Sequence, residues 1–156
     1  MDYYKSLKEQ SSYCRKRDIA NVNFDTIAET LELLAERDFR AIKSKTSNLM
    51  AHLLKAKYQP RKSSKSWLRT ITRELTEIPL YFEESPSLVN ELKPCWDDCY
   101  KRAVTRAVRE TGLNKNTFPK TCEWDFDTMF HKEEPMNDII ADLRKNIDKY
   151  EKHKDS

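Results

Sequence analysis

FDTIAETLELLAERDFRAIKSKTSNLMAHLLKAKYQP, residues 24 to 60, decides the fold. It contains no Gly, and no Pro before Pro60, so nothing inside it forbids a helix, and Asn23 or Asp25 can cap its start. Ile27, Leu31, Leu34, Ile42, Leu49, Leu53 and Ala56 recur at helical spacing and predict one apolar stripe. The polar cluster Glu36-Arg37-Asp38 interrupts that stripe and predicts a bend or short break. Pro60 ends the helix, because proline removes a backbone donor and clashes with the preceding turn.

Working outward from this segment, residues 3 to 17 place Tyr3, Leu7 and Cys14 on one side of a shorter helix ended by Arg15-Lys16-Arg17. Beyond Pro60, the basic connection Arg61-Lys62-Ser63-Ser64-Lys65 leads into Trp67, Ile71, Leu75, Ile78 and Phe82, spaced by four and three. Ser63, Ser64 or Ser66 would cap that helix, and Pro79 inside it predicts a kink, since an interior proline costs ~3 kcal/mol in a straight helix. Ser85-Pro86 matches an N-cap followed by proline at the first helical position. The helix it opens runs through Leu88, Leu92, Cys95, Trp96, Cys99, Ala103 and Ala107 to Gly112, and Pro94 predicts that it bends or restarts near Lys93. Residues 113 to 124 form an irregular connection whose aromatic groups pin it to the rest. Asp125 caps a short turn holding Met129 and Phe130. After Pro135, Ile139, Ile140, Leu143, Ile147 and Tyr150 define a final amphipathic helix, frayed over the last six residues.

These elements predict an all-α fold, a single-domain bundle of about five to six helices with kinks near Pro79 and Pro94. Residues 1–135 are expected to form the bundle, and 136–156 an appended helix packed on it or on a second copy. One Gly among 156 residues disfavours sheets with tight turns and phosphate-cradling loops. The opening Met1-Asp2-Tyr3-Tyr4-Lys5 has no basic region followed by a long apolar run, and no segment approaches the ~18 apolar residues of a membrane span. The expectation is a cytoplasmic protein with no membrane contact, its four cysteines reduced thiols.

Charge is segregated along the chain. From Phe39 to Arg73 there are ten Lys or Arg and no Asp or Glu, whereas Glu74 to Cys99 carries seven carboxylates and one Lys. Segregation of this kind predicts surfaces facing a partner, although a net charge of +3 is too small to imply nucleic acid by itself. The candidate binding residues are His52, Lys55, Tyr58, Arg61, Lys62, Lys65, Trp67 and Arg69 on the basic side. Glu83, Glu84, Asp97 and Asp98, with Glu91 beside them, are the candidates on the acidic side.

Met50-Ala51-His52-Leu53-Leu54-Lys55, Tyr58-Gln59-Pro60, Ser66-Trp67, Ser85-Pro86-Ser87-Leu88, Glu110-Thr111-Gly112-Leu113, Phe118-Pro119 and Cys122-x-Trp124 follow one another in the order found in a bacterial family, domain of unknown function 29. The chain resembles that family over roughly residues 1 to 135. The resemblance implies a soluble helical protein and brings no activity or catalytic residue with it. The chain departs from the family pattern in its extra helix after residue 135, and at Glu123, where proline is more usual.

Packing competes with chemistry at each tempting residue. An imidazole at 52 beside Lys55, Tyr58, Arg61 and Arg69 has the parts of a general base on a phosphodiester, yet Leu49, His52, Leu53 and Ala56 share one helical face, which predicts a hydrogen-bonded histidine at the core's edge. Cys95, Cys99, Cys122 and His52 are the right types for zinc, but the paired knuckle spacing is absent, so no metal or cofactor is expected. Trp67 suits stacking on a base, and equally heads its own apolar stripe. With no Ser-His-Asp order, Walker pattern or HExxH, no catalytic residue is assigned. The reading is a non-enzymatic interaction protein of the immunity or antitoxin type, binding a protein partner such as a toxin through charged surfaces. The alternative is an RNA- or phosphate-binding protein, conceivably a nuclease, using residues 39–73. A homodimer through the Ile139, Leu143 and Ile147 edge is a further expectation.

Overall fold

The structure is a computed structural model describing residues 2–62, 65–130 and 136–154, except the side chains of Arg61, His153 and Lys154. Asn23 opens the long helix: its Oδ1 accepts from the Thr26 amide at 3.1 Å, satisfying one of the donors that a helix start leaves bare. That helix, α2 (Phe24–Tyr58), is continuous for 35 residues, so of the bend or short break expected at Glu36-Arg37-Asp38 the break is not there. The apolar stripe is nevertheless divided. Ile42, Leu49, Leu53 and Ala56 are buried, while Leu31 and Leu34 are 61% and 46% exposed, against the expectation that the whole stripe lies in the core.

Two compact units make up the chain, Met1–Asp38 and Phe39–Ser156. The first holds α1 (Tyr3–Arg15), a 3-10 turn (Ile19–Asn21) and the opening of α2. Asp2 caps α1 by accepting from the Lys5 amide, and Arg17, with φ of 60°, turns the chain out of the helix. Gln10 ties the turn by accepting from the Asn23 amide at 2.8 Å.

The second unit is an all-α bundle, and among the described residues the chain has no strand. After a 3-10 turn at Pro60–Lys62, α3 (Lys65–Glu84) passes through Pro79 without dividing. Ile71, Leu75 and Ile78 are buried on its inner face, and this packing holds the helix together across the missing donor. Ser63 and Ser64 lie outside the described residues, and Ser66 is inside the helix rather than at its cap. Ser85 supplies a backbone carbonyl, not its hydroxyl, to the next helix, because Pro86 occupies the cap position of α4 (Ser87–Leu92). Pro94 then acts as its sequence position predicts: Lys93–Cys95 is a 3-10 turn, and the chain restarts as α5 (Trp96–Thr111).

Gly112 closes α5 in the left-handed region at φ 73°, and its amide returns to the Val108 carbonyl at 2.9 Å. The connection that follows buries Phe118 and Trp124 against the core. Asp125 caps α6 (Phe126–Met129) through the Thr128 amide at 2.7 Å. Phe82, Trp96, Phe126 and Phe130 meet edge to face or tilted, with centroids 5.2 to 6.0 Å apart, locking α3, α5 and α6 together. The last helix, α7 (Asn137–Lys154), lies against α3 and the turn after Pro60, with Leu143 and Ile147 buried.

Candidate functional site

The end of α2 carries His52, Lys55 and Tyr58, and brings Lys55 against Trp67. His52 is 8% exposed, and its Nδ1 lies 2.8 Å from the Asn48 carbonyl one turn back. A carbonyl only accepts, so Nδ1 is the protonated nitrogen. Burial lowers the pKa of this ring, and the nearby Lys55 and Arg106 cations add to the effect, so it is neutral at pH 7. Asn48 also accepts from Arg106 at 2.6 Å, and Arg106 donates to Glu110 at 2.9 Å. Glu110 in turn accepts from Lys55 at 2.6 Å, whose ammonium stands 5.2 Å from the centre of the Trp67 ring. Burial works against the Glu110 carboxylate, but hydrogen bonds from Lys55 and Arg106 outweigh it and hold the pKa at about 2.

Lys55 is therefore a buried cation with a partner, its side chain 7% exposed, and not a surface charge awaiting a ligand. One turn further on, Lys57 and Tyr58 both donate to Glu123. Burial and this carboxylate together push the Tyr58 hydroxyl up to about 12. Glu123, the residue that departs from the family pattern, thus joins the loop after α5 to the end of α2. Around it, Tyr58 packs edge-on against Phe118, Gln59 donates to the Thr111 carbonyl, and Trp96 donates to the Trp124 carbonyl. Fragments that carry the family resemblance, around His52 to Gln59, Trp67, Glu110-Thr111, Phe118 and Glu123-Trp124, are joined here and tie the bundle together, while Ser85-Pro86-Ser87-Leu88 forms the turn into α4.

The remaining cations are partly neutralised as well. Lys45 lies 2.9 Å from Glu77 and 3.6 Å from Glu74, and Glu74, 2% exposed, also takes Arg73 at 3.2 Å. The hydrogen bond to Glu77 raises the Lys45 pKa. Lys65 reaches Glu151 at 3.6 Å. The expectation of a continuous basic face on residues 39–73 is corrected accordingly: short-range pairing with carboxylates from α3, α5, α7 and the loop at 123 divides it. Lys62 is exposed at the Pro60 corner, and the side chain of Arg61 lies outside the described residues. Arg69 makes no ion pair among the described residues and lines a groove of about 480 Å³ between α3 and α7 with Arg73, Arg144 and Thr72.

The acidic set behaves differently. Glu83, Glu84, Glu91, Asp97 and Asp98 are all exposed, and none forms an ion pair among the described residues. The Ser85-Pro86 turn folds the end of α3 directly against α4, and Asp97 and Asp98 occupy the first turn of α5, where the helix dipole favours negative charge. The cysteines do not converge on His52: Cys99 is buried near the Lys43 carbonyl, Cys122 donates to the Trp124 carbonyl, and Cys14 is exposed. No group of three metal-ligand side chains is gathered among the described residues.

Glu110, Arg106, Asn48, Glu123 and Arg144 escaped the sequence reading. The four-residue spacing of Arg106 and Glu110 was a usable signal for a helical pair. Arg144 had none, because only the packing of α7 on α3 brings it to Arg69. A helical bundle in which five cations of residues 39–73 are paired internally, while five exposed carboxylates of residues 83–98 form no ion pair among the described residues, is the class that this geometry defines. The chain belongs to the family described as Domain of unknown function DUF29, whose model matches residues 1–133. No curated protein and no solved structure gives a significant match. No helix among the described residues is long and apolar enough to cross a membrane.

Proposed function

We propose that this chain is a non-enzymatic interaction protein of the bacterial cytoplasm, of the immunity or antitoxin kind, which holds a basic protein partner against the acidic corner built by Glu83, Glu84, Glu91, Asp97 and Asp98. The supporting observation is the asymmetry of pairing. Five of the ten cations of the 39–73 stretch, Lys45, Lys55, Lys57, Lys65 and Arg73, have carboxylate partners inside the chain, whereas these five carboxylates have none among the described residues. Unpaired charges of one sign raise the encounter rate with an oppositely charged surface and exclude like-charged ones. The test is recovery of partners from the host on the tagged chain, compared with an E83K/E84K/D97K/D98K variant. A basic protein held by the wild type and lost from the variant is the expected result, and a partner indifferent to all four reversals defeats the reading.

A second reading, binding of RNA or another phosphate ligand, is favoured by one observation, the groove where Arg69 and Arg144 stand beside Arg73. Its affinity would fall steeply with salt, since each neutralised phosphate releases counterions. R69A/R144A would abolish such binding without disturbing the acidic corner.

A further inference from the structure

The N-terminal unit has features that neither its own packing nor the acidic corner explains. None of residues 2–38 is buried. Of the large hydrophobic side chains exposed among the described residues, all but Leu80 belong to this unit, including Tyr4 at 74%, Phe24 at 64% and Leu31 at 61%. Phe24, Ile27, Leu31 and Leu34 fall on one side of the helix and make an apolar stripe about 15 Å long. Scattered apolar residues on a surface need no explanation, but a stripe exposed at Phe24, Leu31 and Leu34, with Ile27 half-buried between them, marks a contact.

Charge indicates what covers it. Residues 5–17 hold five Lys or Arg and one Glu, whereas 25–38 hold five Asp or Glu and one Arg. Among the described residues these opposite arms form no ion pair with one another, and the ion pair of this unit is the neighbouring Arg37–Asp38. In a two-fold contact, residue i of one copy meets j of the other and j meets i. A unit with one basic and one acidic arm is therefore complementary to itself: the basic α1 of each copy faces the acidic start of α2 in its partner, twice over.

We propose that the N-terminal unit joins two copies of this chain, with the Phe24, Leu31 and Leu34 face covered by the partner copy and Lys5 and Lys8 set against acidic residues such as Glu29 and Glu32. This contact is independent of the acidic corner proposed above, so either can fail alone. The experiment is sedimentation equilibrium on the full chain and on two variants, K5E/K8E and E29K/E32K, each studied alone and then mixed. The substituted positions are outside the core, and circular dichroism checks that helicity is kept.

The wild type is expected at twice the 18.6 kDa chain mass. Each variant alone, with positions 5, 8, 29 and 32 now all of one sign, is expected to associate at least about tenfold more weakly, and their equimolar mixture to recover the dimer. L31E/L34E is expected to abolish association in every combination. A monomeric wild type overturns the proposal, as does a mixture no better than its components, or a dimer that survives L31E/L34E.

Discussion

Glu110 joins two helices because it accepts from Lys55 on α2 and from Arg106 on its own helix. Removing it leaves a buried ammonium without a partner, so Glu110→Ala is expected to cost about 3 kcal/mol. Replacing both members by apolar residues, as in K55M/E110L, should recover most of that loss, and urea midpoints of the three chains measure both outcomes. Protonation tests the same network from another side. The folded-state pKa of His52 lies below its usual 6.5, so the folded chain binds fewer protons than the unfolded chain just below that pH, and stability falls as pH drops through 6.5. Glu110, held at about 2 against a usual 4.5, adds a second loss as pH falls from 4.5 toward 2. In His52→Gln the first loss should disappear and the second remain, which unfolding curves near pH 7, 5 and 3 distinguish. The structural role of His52 was legible in the sequence, since its spacing from Leu49 and Leu53 placed it at the core's edge. Its neighbour Lys55 was misread as a surface charge because its partner lies 55 residues away, beyond any local pattern.

The helices were largely legible at the scale of the element, because each has its own start and stop signal: Asn23, Asp125, Pro94 and Gly112 act as those residue types do. Gly112 permits a clean test. A Cβ built there meets nothing within 4 Å, so Gly112→Ala carries only the conformational cost of φ 73°, about 1 to 2 kcal/mol. Gly112→Asn should cost less, and thermal denaturation ranks the two. Burial of the flanking Leu75 and Ile78 carries α3 through Pro79 as one element. One element-scale reading failed for a physical reason. The apolar period of α2 continues into residues 27 to 34, but periodicity reports which side of a helix is apolar and not whether anything covers it. The uncovered part is where the chain is proposed to meet its second copy.

Across the whole molecule, segregation of charge along the sequence does not become segregation on the surface. Glu74, the first carboxylate after the basic stretch, is buried between Lys45 and Arg73, so the sign change in the sequence is itself a packing contact. Glu77, Glu110, Glu123 and Glu151 continue the same pairing with Lys45, Lys55, Lys57 and Lys65. What stays available is the opposite sign on α3, α4 and α5 at residues 83–98, together with the cations that stay out of ion pairs among the described residues, Arg40, Lys62 and the Arg69 of the α3–α7 groove among them. Composition reveals the two blocks, but only the packing of distant helices decides which block is neutralised. Titration of fluorescent single-stranded RNA with the chain at about 50 and about 200 mM salt tests that decision most directly. No saturable binding is expected at either concentration, and saturable binding that collapses at the higher salt would show that the basic stretch is not neutralised.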